Sequence, residues 1–356
     1  VDRLVLLGRL DPAPGRAPNL VPAGVEFVAL PYFAGLSHPL AVLRVAPSAL
    51  WRFWRALRDV DAVWLLGPSP LGLAFVALAR LRRRAVALGV RMSYPEYVRR
   101  RHPRSRALHL LADALDGAWR RLARRHPTVV VGEALAARYR RARRLLVGAI
   151  SLVEDVDVVS PAAARERTYD GALTILTVGR LDVEKNPMLL PEVLARLDGE
   201  RWRLVVCGDG PLRAAVEERC AELGVADRVE LRGQLPASRL RDVYRSSHAL
   251  LHVSWTEGVP QVLFEAFAAG LPAVATDVGG VRAAAGDAAL LVAPGDAGAA
   301  AAALQAVAGD PARREAMVHA GLARARAHTR QAESRRLLDF IAGAPVDAPA
   351  TVTVAA

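Results

Sequence analysis

From Ser254 to Gly280 the sequence reads SWTEGVPQVLFEAFAAGLPAVATDVGG, and its reading decides the fold. An apolar strand-like run, Ala249–Val253, leads into it. The spacing then predicts a helix opening near Pro260 and running over Val262–Ala269, followed by a short strand at Ala273–Ala275. Glu257 stands just before that helix and Glu265 about two turns into it. The free N–H groups of that first helical turn, together with the helix dipole, favour an anion such as phosphate. Glu257 also reads as a cap-region acid and Glu265 as a solvated helix residue. Its position between Phe264 and Ala266-Phe267 makes Glu265 a better candidate for a buried, partnered carboxylate.

Working outward, the same strand–turn–helix rhythm recurs through the second half. Strands are expected at Leu173–Val178, Arg203–Cys207 and Arg228–Leu231, with helices near Pro187–Leu197, Leu212–Leu223 and Ser238–Ser246. Short apolar strands alternating with helices predict an α/β unit with a parallel sheet, and such sheets bind ligands at the carboxyl ends of their strands. Distinctive residues fall at those ends. After Val178 comes Gly179-Arg180-Leu181-Asp182-Val183-Glu184-Lys185-Asn186, which offers two cations to a diphosphate, or forms a surface loop in which Arg180 pairs with Asp182 or Glu184. After Cys207 comes Gly208-Asp209-Gly210-Pro211, and after Leu231 comes Arg232-Gly233-Gln234-Leu235-Pro236; either is also explained as an ordinary turn. Lys185 is the sole lysine among 48 basic residues, so the compact ammonium survives at one position in a chain that otherwise uses arginine. Two carboxylates at the spacing of Glu257 and Glu265 can grip hydroxyl groups on either side of a phosphate at the helix start, the order of sugar, diphosphate and ribose that a nucleotide sugar presents.

The first half is also α/β. Strands are expected at Leu4–Leu7, Val25–Leu30, Ala62–Leu66, Ala85–Leu88 and Thr128–Val131, with helices at Leu43–Leu57 and Ala107–Arg125. The segment 160–171 reads as a linker. Of 356 residues 53% are apolar, enough for two cores and too many for a disordered chain. No apolar run reaches the roughly 18–20 residues that span a bilayer. Cys207 and Cys220 are too few to staple a secreted fold, which points to a reduced, cytoplasmic setting. Charge is lopsided: residues 1–150 carry 26 arginines against 9 acids, whereas the remainder is net acidic. A basic half suits nucleic acid, an anionic bilayer or an anionic acceptor, or is a set of solvated arginines. No nucleic-acid readout motif appears in the Arg-rich helices, which argues against nucleic acid as partner.

Taken together, the ordered motifs over about 170–310 resemble glycosyltransferase family 4, retaining enzymes of the GT-B fold. The resemblance implies two Rossmann-like domains, with a metal-independent donor site and no cofactor. It implies catalytic roles for Arg180 and Lys185 on the diphosphate and for Glu257 at the transferred sugar. Glu265 would hold the ribose, the backbone at Gln261 and Val262 the phosphates, and Gln234 and Leu235 the base, with Gly179, Gly208, Gly258, Val259 and Pro260 shaping the donor pocket. The implied layout is an acceptor-side domain over 1–165, a donor domain over 166–328, a helix crossing back over 329–342 and a flexible tail over 343–356. The acceptor would be a glycan, a lipid-linked molecule or a small molecule, and the basic half would dock on an anionic inner-membrane surface. The family begins with a strand, a Gly-rich loop and a long helix before the strand resembling Val25–Leu30; here Leu4–Leu7 is followed only by Gly8–Asn19, Pro-rich and too short for that helix, so the expectation is that the chain starts at the family's second strand. The family's first-domain histidine is also not evident at 89–94. A sugar-nucleotide epimerase on the same architecture is the alternative enzyme, and a basic nucleic-acid-binding protein the alternative of another class.

Overall fold

The computed structural model describes residues 3–9, 21, 24–32, 39–148, 152–199 and 201–343. The Pro-rich stretch 10–20 and the tail beyond 343 lie outside the described residues. Two compact units result: residues 1–130 with 135–146, and residues 131–134 with 147–356.

In the first unit, β1 (Leu4–Arg9) pairs in parallel with β2 (Val25–Leu30). Helix α1 (Pro39–Ala56) leads to β3 (Ala62–Gly67), α2 (Pro70–Leu81) and β4 (Ala85–Val90). Then follow α3 (Tyr94–Arg101), α4 (Arg106–Ala123), β5 (Pro127–Val131), α5 (Glu133–Tyr139) and β6 (Arg144–Gly148). Strands β3–β4–β5–β6 form a second sheet in chain order. The sequence reading had no counterpart for β6, whose flanking arginines mask a five-residue strand. Part of the unit's arginine is structural: Arg120 and Arg138 both bond the carboxylate of Asp116, buried at 1% exposure, with Tyr139 Oη donating to its other oxygen at 3.1 Å.

The second unit holds α6 (Pro161–Arg165), β7 (Leu173–Val178), α7 (Leu189–Ala195), β8 (Trp202–Cys207), α8 (Arg213–Glu222) and β9 (Val229–Gly233). It continues with α9 (Ala237–Ser246), β10 (Ala249–His252), α10 (Gln261–Ala268), β11 (Ala273–Thr276), α11 (Val281–Ala285) and β12 (Ala289–Val292). Helices α12 (Ala297–Gly309), α13 (Pro311–Ala327) and α14 (Arg330–Ala342) complete it. The six strands form one sheet in the order β12–β11–β10–β7–β8–β9, and their described pairings are all parallel. The pleat splits the core. Leu204 and Val206 of β8 face one apolar layer with α7, α8 and α12, while Val205 and Cys207 face the other with α9, α10 and α11. Cys220 belongs to the first layer and Cys207 to the second, so the two thiols sit on opposite sheet faces.

The boundary between units falls at 147, earlier than the expected 165. The stretch after it is bound to the second unit: Val153 is buried in that core, Val159 N–H donates to Ala268 O at 2.9 Å, and Arg330 N–H donates to Val153 O at 2.7 Å. The segment expected as a linker accordingly contains α6, which packs against α13. Helix α14 occupies the expected terminal helix. It packs against α13 and is tied to 147–157 through Arg336 to the Val147 carbonyl, Gln331 to Asp155 N–H and Arg330 to Glu154.

Candidate functional site

Chain order makes β7 the first strand of the larger sheet; β8 and β9 then build to one side of it, and β10 to β12 to the other. The switch point therefore lies between β7 and β10, where diverging loops leave a crevice at the carboxyl ends of the strands. The two distinctive loops of the sequence meet there. A crevice lined by Gly179, Arg180, Lys185, His252, Ser254 and Val262 separates them.

The first loop is folded by its own short-range chemistry. Asp182 accepts a hydrogen bond from Lys185 N–H at 3.2 Å, capping a single 3-10 turn over Val183–Lys185, and Asn186 ends it in the left-handed conformation at φ 51°. The second loop is tied to the first by its backbone, Trp255 N–H donating to Glu184 O at 2.9 Å. Gly208 is required by packing: a β-carbon there would overlap the carbonyl oxygen of Gly179, so the turns after β7 and β8 lie backbone to backbone. Gly208 N–H in turn donates to Gly233 O at 2.8 Å, which joins the turn after β9, next to Gln234 and Leu235, to the same edge.

At the centre is Glu257. Lys185 Nζ lies 2.5 Å from Glu257 Oε1, Ser254 Oγ donates to the same oxygen at 2.8 Å, and His252 Nε2 lies 3.0 Å from it. The Glu257 side chain is only 10% exposed. Burial pushes its carboxyl upward, but hydrogen bonds from His252 and Lys185, with their charge, outweigh burial and bring its pKa down to about 2. Glu257 is therefore a standing carboxylate throughout the neutral range. Its folded value lies below the ordinary carboxylate value of 4.5. The stability it contributes is therefore complete above that ordinary value and is lost as pH falls toward 2.

Glu265, on α10, is half-buried and accepts a hydrogen bond from Tyr244 Oη on α9 at 2.7 Å. Burial raises its pKa, and the Tyr244 hydrogen bond only partly offsets this. The buried and partnered reading of Glu265 is thus the one observed. Helix α10 starts at Gln261 with no side chain capping its first turn, and the Gln261 Oε1 is buried without a partner. Gly258 is exposed, Val259 and Val262 are half-buried and pack on the α10 core layer, and Pro260 is buried.

Arg180 is placed differently. Its guanidinium is 70% exposed and lies 2.8 Å from Asp182 and 3.7 Å from Glu184, the surface-loop arrangement. Gln234 is exposed at the end of β9 and Leu235 packs on the apolar layer. Sequence reasoning missed three residues. His252 ends an otherwise apolar strand and Ser254 opens the motif two residues later, polar side chains whose signal was available. Tyr244 had none, since only packing of α9 on α10 brings its hydroxyl to Glu265. Among the described residues no group of three or more His, Cys, Asp or Glu side chains is placed to hold a metal ion.

Comparison with known proteins accords with this geometry. Residues 161–324, which lie in the second unit, match the family described as glycosyl transferases group 1. A phosphatidylinositol N-acetylglucosaminyltransferase component of Arabidopsis thaliana is 37% identical over 129 residues, which cover 36% of this chain and 28% of that protein. The chain thus matches less than a third of that relative's length. Among solved structures, sucrose-phosphate synthase of Thermosynechococcus elongatus superposes with a TM-score of 0.67 at 20% identity, covering 95% of this chain and 88% of that one. HepE of Anabaena, solved in complex with UDP and glucose, superposes with a TM-score of 0.63 at 17% identity, covering 90% and 86%. The fold is the α/β GT-B fold with Rossmann-like units and parallel sheets.

Proposed function

We propose that this chain, whose residues 161–324 match the group 1 glycosyl transferases, transfers a sugar, with retained anomeric configuration, from a nucleotide-diphosphate sugar to an acceptor hydroxyl. The observation that carries the reading is the meeting of Lys185 and Glu257 at the switch point of the larger sheet. The finer placement within family 4 rests on the same ordered motifs.

In the proposed reaction the bond from the anomeric carbon to the phosphate oxygen breaks and its electron pair leaves with the diphosphate. Lys185, Arg180 swung off its surface acids, and the uncapped start of α10 receive that charge. The acceptor oxygen bonds the anomeric carbon on the same face, and its proton passes to the departing phosphate oxygen. Glu257, already ionised, accepts from a sugar hydroxyl and stabilises the oxocarbenium-like centre; it is too acidic to serve as a proton donor. Glu265 takes the ribose. The reading needs neither metal nor cofactor, because cationic side chains and peptide dipoles supply the neutralisation. A panel of nucleoside diphosphates and their sugars tests it by thermal shift. At a concentration 100 times Kd the cognate donor stabilises the fold by about 2.7 kcal/mol. A flat response to every nucleotide overturns the reading.

The acceptor side follows from the first unit. On α4, Ala107, Leu110, Leu111 and Ala114 recur at helical spacing and are all exposed, Leu110 at 71%. Tyr97 on α3, which packs against α4, is exposed as well, and so are Arg91, Arg104 and Arg106. An apolar stripe bordered by guanidinium groups suits the headgroup layer of an anionic bilayer, the inner-membrane face, where a glycan or lipid-linked acceptor is presented. Among the described residues no helix is long and apolar enough to cross a membrane, so the proposed attachment is peripheral. Flotation with vesicles containing anionic lipid should carry the protein up, and Leu110→Glu with Leu111→Glu should leave it at the bottom. Equal flotation with purely zwitterionic vesicles overturns the electrostatic part.

A further inference from the structure

The hydrogen bonds at Glu257 are distributed unevenly. Lys185 Nζ, Ser254 Oγ and His252 Nε2 all converge on Oε1, and none of the described hydrogen bonds reaches Oε2. A carboxylate oxygen has two lone pairs, so three donors on one atom exceed its directional capacity. The three donors are not equivalent. His252 and Ser254 are 5% and 2% exposed and are fixed at the end of β10, Ser254 by a bond from Thr276 Oγ1 to its carbonyl at 2.7 Å. Lys185 is 30% exposed and hangs on a flexible four-carbon stem. It is therefore the member that can leave.

The proton arrangement fits a fixed pair. The Ser254 hydroxyl donates to Glu257 Oε1, so its oxygen can accept, and His252 Nε2 lies 3.2 Å from it. With its hydrogen on Nε2, the imidazole donates toward both Glu257 and Ser254. His252 Nδ1 is buried without a partner, so the ring is held through its Nε2 side alone. An orphaned buried nitrogen is a cost that packing alone does not explain.

We propose that His252 and Ser254 are positioning residues for Glu257: they hold Oε1 while Lys185 turns to the donor diphosphate, and so present Oε2 to the sugar as a fixed, ionised acceptor. This rests on the donor-site reading above, whose residues it extends. Without the pair, departure of Lys185 would leave a buried carboxylate with no donors, and burial would then drive it toward the protonated form.

The test uses the full chain as wild type, His252→Phe, His252→Gln and Ser254→Ala, and for the NMR each also with Lys185→Ala. Glutamine keeps an N–H donor near the position of Nε2, whereas phenylalanine fills the space without one. Carbon-13 carboxyl NMR of labelled glutamate reads the ionisation of Glu257 without any substrate. The charged or titratable groups facing that carboxylate are Lys185 from the loop after β7 and His252 from β10; Asp277, after β11, pairs with Arg282 instead. With Lys185→Ala added to each, so that no lysine covers for a lost donor, Glu257 at pH 5 is expected ionised with His252 or His252→Gln and partly protonated with His252→Phe. With the nucleotide sugar giving the largest thermal shift, release of nucleoside diphosphate is expected to slow roughly 10–100-fold in His252→Phe and Ser254→Ala, the loss of a hydrogen bond to a charged group. Binding of the nucleoside diphosphate alone should stay within about twofold, and His252→Gln should recover most of the rate. A carboxyl titration that His252→Phe leaves unchanged on the Lys185→Ala background overturns the positioning role, whatever the activity. Equal losses in nucleoside diphosphate binding and in turnover also overturn it, because they mark a structural role. If wild type binds no nucleotide, the donor reading fails instead, and the NMR arm still decides whether the pair holds Glu257.

Discussion

Lys185→Ala lowers donor turnover by about 10²–10³-fold, the range seen when one preorganised charge-stabilising donor is removed. Two physical losses act together. The departing diphosphate loses the only ammonium in the chain, and Glu257 loses one of its three donors. The fold survives, because His252 and Ser254 still satisfy Glu257 and the loop backbone is held by Asp182 and by the bond from Trp255 to Glu184. Lys185→Arg recovers little: a planar fork is wider than an ammonium and does not fit a crevice cut to place Nζ 2.5 Å from the carboxylate. Steady-state rates of nucleoside diphosphate release, measured beside the Tm of each variant, check this. Turnover within threefold of wild type removes Lys185 from the mechanism.

Gly279→Ala is expected to destabilise the second unit by about 2–5 kcal/mol, from left-handed strain of roughly 1–2 kcal/mol plus overpacking of roughly 1–3 kcal/mol. Gly279 has φ 53°, and a β-carbon there would overlap the carbonyl oxygen of Glu257, while the next residue, Gly280, sits equally tightly under Gly258. The backbone carrying Glu257 has nowhere else to lie, because Gly280 N–H also donates to the Glu257 carbonyl at 3.3 Å. For a unit of this size the shift corresponds to about 5–15 °C in Tm. Activity should fall further than stability requires, since displacing the carbonyl displaces the carboxylate. Thermal melts and donor-release rates at a temperature where the variant remains folded separate the two effects. A Tm within about 1 °C of wild type would show that the loop shifts freely, and the tight fit of Glu257 would then not hold.

Much of the second unit was legible because local and global signals agree there. The strands β7, β8 and β10 are apolar runs ended by glycine or by polar residues, and the helices between them were found within a few residues. The strand β12, Ala289–Val292, was not expected, since four small apolar residues beside an alanine-rich helix give no period to read. The first unit was harder. Its arginines serve as surface, as partners of buried Asp116 and as borders of an apolar stripe, and composition cannot separate these uses.

What the sequence determined alone is the set of chemical groups and their order: a lysine after the first strand of the larger sheet, a glutamate before an uncapped helix, a second glutamate within it, and glycines where backbones must touch. These are encoded locally, by turn chemistry and by the period of the apolar residues. Only the tertiary structure decided which groups face one another. Lys185 and Glu257, 72 residues apart, meet because β7 and β10 are neighbours in a parallel sheet whose order reverses between them. The same packing leaves Arg180 among its own acids and delivers Tyr244 to Glu265. Partner choice at that distance depends on sheet order and on which side chains burial forces together, and neither is written in any local stretch of chain.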